Sequence, residues 1–257
     1  MRVATWNMKQ AVAPKKPLDQ LWDYIESEID PDVVVLTEAR PPRDERSKDW
    51  SMVYRPGGIG QRRTWGTIVA ARSWIEMSTA NFSETPRRDD AWQSPVPGTV
   101  ESVDIKIDGK SWATIIGAYG FMPNSKNGFD ALPGILCTAT DAFDSGRDRL
   151  VLAGDFNLWP IHINEYILQL PFVDVIGSVA DLPDLPEAVG GSRIWTHKNG
   201  NSDKAARQEL DFIYVSEALA DEVTSAGGGI ELFPDAWEFS DHAPVIAEFE
   251  LTDSRSN

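Results

Sequence analysis

The sequence predicts an α/β protein of two packed, mostly antiparallel sheets flanked by helices, and three observations carry that expectation. Short runs rich in β-branched and aromatic residues recur from end to end, Gly, Pro and Asp turns separate them, and helical periodicity surfaces only at irregular intervals, without a repeat. Hairpins with helices outside them build stacked sheets whose outer faces need cover.

Taken in order, Arg2 to Asn7 is a short strand-like run. Pro17 to Glu28 reads as a helix: Leu18, Leu21, Trp22 and Ile25 fall at helical spacing, and Pro17 suits a first helical position. Strands follow at Val33 to Glu38, Thr67 to Ala71, Val100 to Ile107 and Ser111 to Tyr119. Asp108-Gly109 joins the last two as a hairpin turn, because Gly accepts positive φ at no steric cost. A helix over Phe129 to Asp144, a strand over Leu150 to Phe156, a helix over Ile163 to Leu170 and strands over Phe212 to Val215 and Val245 to Leu251 complete the pattern. The Pro-rich stretches Arg40 to Pro42, Pro86 to Pro97 and Leu182 to Pro186 are loop-length, so residues 1–257 read as one domain.

Composition narrows the function classes. With 24 Lys and Arg against 40 Asp and Glu the formal charge is −16, which excludes a histone-like surface, while 42% hydrophobic residues suffice for a substantial core. The first 100 residues are neutral, and the remainder carries the acidity. Within the neutral part, Arg40, Arg43, Arg46, Lys48, Arg55, Arg62 and Arg63 concentrate positive charge, either as a surface for a polyanion or as an ordinary solvated loop. A single Cys137 rules out an internal disulfide and a cysteine-held zinc. The chain enters directly on a strand-like run without a charged, then apolar leader, which points to the cytoplasm, and no stretch reaches the roughly 20 apolar residues of a membrane span.

Carboxylates and amides recur where strands end: Asn7, Glu38, Asp155 and Asn157 in Gly-Asp-Phe-Asn, Asp211 in Glu-Leu-Asp-Phe, and Ser240-Asp-His242 before the last strand. Any one of these serves as a turn former or helix cap. Together they form the oxygen-rich inventory of a hard cation such as Mg²⁺, which binds through one or two carboxylates plus water and phosphate oxygen.

In its segments Thr5-Trp-Asn-Met8, Leu36-Thr-Glu-Ala39, Tyr119 with Pro123-Asn124, Gly154-Asp-Phe-Asn157, Leu210-Asp-Phe-Ile213 and Ser240-Asp-His-Ala-Pro-Val245, the chain resembles the endonuclease/exonuclease/phosphatase superfamily, the exonuclease III and deoxyribonuclease I type. The resemblance spans residue 1 to about 250 in order and strand context. It implies a four-layer α/β/β/α sandwich and a metal-dependent phosphoester hydrolase using Mg²⁺, with Mn²⁺ as an alternative. It implies that Asn7 and Glu38 position the metal, with Asp241 a further carboxylate. Asp155 and Asn157 would orient and deprotonate the attacking water, His242 would contact the phosphate with Asp211 on its other nitrogen, and Tyr119 would lie beside the phosphate. A carboxylate so placed fixes the histidine tautomer and favours imidazolium, which can donate to a pentacovalent phosphate.

Two departures from the family pattern stand out. Thr37 precedes Glu38 where Gln is usual, and Tyr119-Gly-Phe-Met-Pro-Asn124 has two more residues than Tyr-x-Pro-Asn, with Asn124 carried over as a substrate contact. Trp159, two residues beyond the Gly-Asp-Phe-Asn motif, is a stacking candidate, and Arg62 and Arg63 are candidate backbone contacts. His162 and His197 read as exposed loop residues and stay outside the core site. A nuclease acting on DNA or RNA ranks first. Next is a phosphatase or phosphodiesterase of a small or lipid-linked phosphate, which a −16 surface suits because it repels polyanions. A catalytically silent binding module with the same fold is the third reading.

Overall fold

Two six-stranded sheets lie face to face in the computed structural model, which describes residues 1–9, 15–43, 46, 48–57, 64–82, 98–121, 131–179, 193–200 and 206–251. In chain order the first sheet is built from β1 (Arg2–Asn7), β2 (Val33–Ala39), β3 (Trp50–Gly57), β4 (Trp65–Arg72), β13 (Val223–Gly228) and β14 (Val245–Phe249), arranged β13-β14-β1-β2-β4-β3. The second is built from β5 (Glu76–Thr79), β6 (Val100–Ile107), β7 (Lys110–Tyr119), β8 (Leu150–Asp155), β9 (Phe172–Asp174) and β12 (Asp211–Ser216), arranged β5-β6-β7-β8-β12-β9. A separate hairpin pairs β10 (His197–Asn199) with β11 (Ala206–Gln208).

Alternation along the strands separates the layers. Val33 and Val35 face Val103, Ile115 and Val151 of the other sheet, whereas Val34 and Leu36 face Leu21, Trp22 and Ile25 of helix α1 (Leu18–Tyr24) and its π-helical continuation Ile25–Ile29. On the far side Leu150 and Leu152 meet Leu132, Ile135 and Ala139 of α2 (Leu132–Asp144) and Ile163 and Ile167 of α3 (Pro160–Ile167). The result is the expected α/β/β/α order. Each buried Leu or Ile contributes about 1.5–3 kcal/mol relative to exposure. Shorter helices α4 (Val175–Val179), α5 (Glu217–Ala220), α6 (Gly229–Leu232) and α7 (Ala236–Phe239) fill the edges.

Each sheet has one parallel pair, β1 with β2 and β7 with β8, and every other ladder is antiparallel. This register positions the site. Asn7 and Glu38 fall at the carboxyl ends of β1 and β2, and Tyr119 and Asp155 at those of β7 and β8. Antiparallel β12 brings its first residue, Asp211, opposite Asp155, and Val245 pairs with Thr5, so residues just before β14 stand beside Asn7. Motifs from distant parts of the chain therefore meet at one end of the sandwich.

Several expected boundaries shift. Pro17 precedes α1 rather than opening it, with extended backbone (φ −57°, ψ 147°). The helix expected at Ile163 to Leu170 starts earlier, at Pro160, whose fixed φ suits the first turn, and ends at Ile167. The start expected for α2 at Phe129 lies outside the described residues. The basic stretch read as loop contains β3, an edge strand that accommodates Pro56 because an edge needs no ladder hydrogen bond there. Arg55 accordingly sits in a strand and pairs with Glu101 at 3.4 Å, and Arg46 pairs with Asp23. At the β6–β7 hairpin both turn residues have positive φ (Asp108 51°, Gly109 74°), the geometry the Asp-Gly pair predicts.

Candidate active site

Backbone irregularity aims the site's side chains. Between Leu36 and Ala39 the β2 ladder shifts register, and Glu38 there has φ 44°, so its carboxylate turns off the strand into the cleft. Lys9 (φ 50°) and Asn157 (φ 51°) are also left-handed, a concentration of backbone strain at one place. Gly154 (φ 152°) lets β8 lie against β7: a Cβ there would sit 1.8 Å from the Ala118 carbonyl oxygen.

Asp155 is buried and accepts three N–H groups: Asn7 Nδ2 at 2.9 Å, the Asn157 backbone at 2.8 Å and Asn157 Nδ2 at 3.3 Å. Asn7 Nδ2 also reaches Glu38 Oε1 at 3.5 Å, and the Tyr119 hydroxyl donates to that same oxygen at 2.5 Å. Burial and the Glu38 carboxylate push the Tyr119 phenol well above its ordinary range, so it stays a donor.

His242 lies between two carboxylates, with Nδ1 2.8 Å from Asp211 Oδ2 and Nε2 3.8 Å from Asp155 Oδ2. Burial works against a charged ring, but Asp211, Asp155 and Asp241 outweigh it and lift the imidazole to about 10. Burial raises Asp155 to about 7, the pull of His242 opposes it, and Asp211 adds to the rise. The backbone around the histidine is pinned. Trp6 Nε1 donates to the His242 carbonyl at 2.9 Å, Ser240 Oγ donates to the Asn7 carbonyl at 2.7 Å, and the same oxygen accepts the His242 N–H at 3.1 Å.

One residue that the sequence reading set aside belongs beside this group. His197 forms an isolated antiparallel bridge with His242, its ring centroid is 4.6 Å from that of His242, and its Nδ1 is 3.2 Å from Gln208 Oε1. Burial and then the His242 charge lower it to about 4, so it is neutral at pH 7. No local signal announces it, because the contact arises from pairing between segments remote in sequence. His162 stacks on Trp159 (6.1 Å, 14°) at the start of α3. Trp65 is core, edge-on to Tyr119. The Thr37 hydroxyl is buried with no hydrogen-bond partner among the described residues, so it does not replace a glutamine amide. Asn124, Arg62 and Arg63 lie outside the described residues.

The ligand atoms of Asp155, Asp211 and His242 all lie within 4.8 Å of one another. An imidazolium, however, has no free nitrogen lone pair for a cation. The carboxylate with room is half-buried Glu38, whose Oε2 has no partner among the described residues, and a hard cation with a largely aqueous shell fits a single such oxygen beside Asn7. Asp241, by contrast, is already engaged by the Lys9 ammonium; burial opposes its ionisation, but His242 and Lys9 hold it below its ordinary value.

Over residues 4–242 the sequence matches the Endonuclease/Exonuclease/phosphatase family. The chain belongs to that family. Members of this endonuclease/exonuclease/phosphatase family are divalent-metal-dependent hydrolases of phosphate esters. Among solved structures, the chain is similar to a 3′ phosphatase from Neisseria bound to product DNA hairpin (19% identity, 97% of this chain and 99% of that chain, TM-score 0.62). It is similar as well to an AP endonuclease from Archaeoglobus fulgidus (19%, 98% and 100%, 0.63) and to a mannosyl-6-phosphatase from Bacteroides thetaiotaomicron (16%, 97% and 99%, 0.60). No curated protein matches it in sequence. Among the described residues no helix is long and apolar enough to cross a membrane.

Proposed function

We propose that the chain is a cytoplasmic, single-domain phosphodiesterase that uses Mg²⁺, or Mn²⁺, to hydrolyse nucleic acid by attack of an activated water. The observation that carries the reading is the row of Asp211, His242 and Asp155, with Asn7 bridging from Asp155 to Glu38.

Glu38 and Asn7 would hold the ion, with Asp241 alongside. Bound there, the ion supplies charge neutralisation of the phosphate and of the leaving oxygen. Tyr119 fixes the Glu38 rotamer through its hydrogen bond and stands beside the phosphate. Asp155, raised to about 7 and aimed by Asn7 and Asn157, accepts the proton of the attacking water. His242, held protonated by Asp211, donates Nε2–H to a non-bridging phosphate oxygen as negative charge builds. Asn157 and Asn124 contact phosphate oxygens, and Trp159 stacks a base. Arg62 and Arg63 meet the strand beyond.

The −16 charge favours one second reading, a phosphatase of a small soluble phosphate ester, because an acidic surface repels polyanions and leaves small anions little affected. A single assay separates the two. Wild type and His242→Ala are compared with Mg²⁺, Mn²⁺ or EDTA on plasmid DNA, single-stranded DNA, RNA, bis-p-nitrophenyl phosphate and phosphomonoesters. The nuclease reading expects metal-dependent cleavage of a nucleic acid by wild type alone. Turnover confined to small esters transfers the assignment to the phosphatase, and turnover that survives His242→Ala removes the histidine from the mechanism.

A further inference from the structure

Lys9 follows β1 by two residues, and both its backbone and its side chain act on the site. Its φ of 50° folds the chain back after Asn7, and its N–H donates to Asn7 Oδ1 at 2.8 Å. An asparagine amide presents an acceptor on one side and donors on the other, so this bond decides which way each faces. Nδ2 turns to Asp155 and Glu38, and Oδ1 keeps its second lone pair. The same fold-back carries the Lys9 ammonium onto Asp241 Oδ2.

Two carboxylates near the phosphate position therefore stand in opposite fields. Around Asp241 positive charge is already in place: Lys9 Nζ in contact, the protonated ring of His242 on the next residue, and the Lys15 ammonium, which donates to the Ser240 carbonyl at 3.0 Å. Around Glu38 the balance is reversed. Asp155 lies across the Asn7 amide, and no ammonium or guanidinium pairs with Glu38 among the described residues. A dication is attracted to Glu38 and meets an already cancelled charge at Asp241. The Lys9–Asp241 pair is also unlike a loose surface pair. Only 28% and 21% of the two side chains is exposed, and Ser240 Oγ ties the Asp241 segment to the Asn7 carbonyl at 2.7 Å, so two anchored backbones hold the charges together.

We infer that Lys9 is a positioning residue that takes Asp241 out of the ligand set, so that the site holds a single divalent cation, on Glu38 and Asn7 Oδ1, and carries a fixed ammonium where a second cation would otherwise sit. The inference rests on the metal-dependent reading of the site and adds to it the number of ions and the residue that sets it. A hard cation needs only one or two carboxylates, with water completing its shell, and Glu38 meets that need without Asp241.

The test counts Mn²⁺ bound to the full chain, by the electron paramagnetic resonance signal of the free ion and by calorimetry, so that no turnover enters the readout. Wild type is expected to bind one Mn²⁺ per chain, and Glu38→Gln to lose it. Lys9→Met removes the charge and keeps the bulk of the side chain; it is expected to bind two, and Lys9→Met combined with Asp241→Asn to return to one. Lys9→Arg, which keeps the cation, stays at one. Lys9→Gln repeats the Lys9→Met count with a hydrogen-bond donor left for Asp241, which covers the case in which an uncompensated carboxylate unfolds the first variant. Two Mn²⁺ on wild type, an unchanged count in both Lys9→Met and Lys9→Gln, a second ion that persists without Asp241, or uptake that survives Glu38→Gln overturns the inference and leaves metal dependence standing. Wild type that takes up no Mn²⁺ overturns the metal-dependent reading with it.

Discussion

Asp211 and His242 share a 2.8 Å hydrogen bond in a buried setting, and that bond sets the charge on the ring facing Asp155. Asp211 Oδ1 has no hydrogen-bond partner among the described residues, so His242 is the charge partner that offsets its burial. Asp211→Asn keeps the shape and removes the charge. The expected result is a fall in kcat of about 10²–10⁴-fold with a smaller change in KM, together with an alkaline limb displaced to lower pH. An unchanged pH profile would show that Asp211 only fills space.

The pH dependence follows from the same group. Activity should rise as Asp155 ionises near about 7 and fall as His242 loses its proton near about 10, a bell measured as kcat/KM against pH.

Stability runs on a different schedule. His242, raised from 6.5 to about 10, contributes stability that is complete below about 6.5 and is lost as pH rises toward about 10. Asp155, raised from 3.8 to about 7, works in the same direction as His242: the unfolded chain releases the carboxyl proton first, so stability falls as pH rises through that window. Asp155→Asn should therefore raise the urea midpoint above that of wild type at pH 8 in metal-free buffer, with the advantage vanishing below pH about 4. A lower midpoint at pH 8 would mean that pairing with His242 outweighs the cost of burial.

What the sequence could reveal divides along locality. Asn7, Glu38, Asp155 and Asp211 are legible because each is a polar residue at one end of an apolar strand; parallel pairing brings Asn7 and Glu38 together in one sheet and Tyr119 and Asp155 in the other, and antiparallel β12 sets Asp211 opposite Asp155. β3 is hidden because Arg55 and Pro56 mask a strand that only an edge position permits. His197 is hidden for a deeper reason: the bridge to His242 depends on how a hairpin docks on a distant segment, which no local pattern encodes. Asp241 was legible as a carboxylate near the site, but its Lys9 partner was not, because the pairing depends on the left-handed turn after β1.

Gly154 gives a steric prediction. Its Cβ would meet the Ala118 carbonyl oxygen at 1.8 Å with φ 152°, whereas a Cβ at Gly109 meets nothing within 4 Å among the described residues despite φ 74°. Gly154→Ala should cost at least about 3 kcal/mol or abolish soluble expression, and Gly109→Ala about 1 kcal/mol, measured by urea unfolding. Comparable costs would mean that β7 and β8 separate easily.

The last prediction concerns the support beneath Asp211. Arg193 donates to Glu209 Oε1 at 2.6 Å, its backbone N–H reaches Glu209 Oε2 at 2.6 Å, and its guanidinium lies 2.7 Å from Asp174 Oδ2. Both carboxylates are buried, and Glu209 is two residues before Asp211. Burial raises Glu209 and the Arg193 guanidinium restrains that rise. Arg193→Met should cost about 3–5 kcal/mol, because the variant strands two buried carboxylates. Adding Glu209→Gln should recover part of that loss, since one uncompensated charge is then gone. Catalysis supplies the second readout. If the network positions β12, Arg193→Met lowers kcat even where the protein is fully folded, and a fully active folded variant would confine the network to stability.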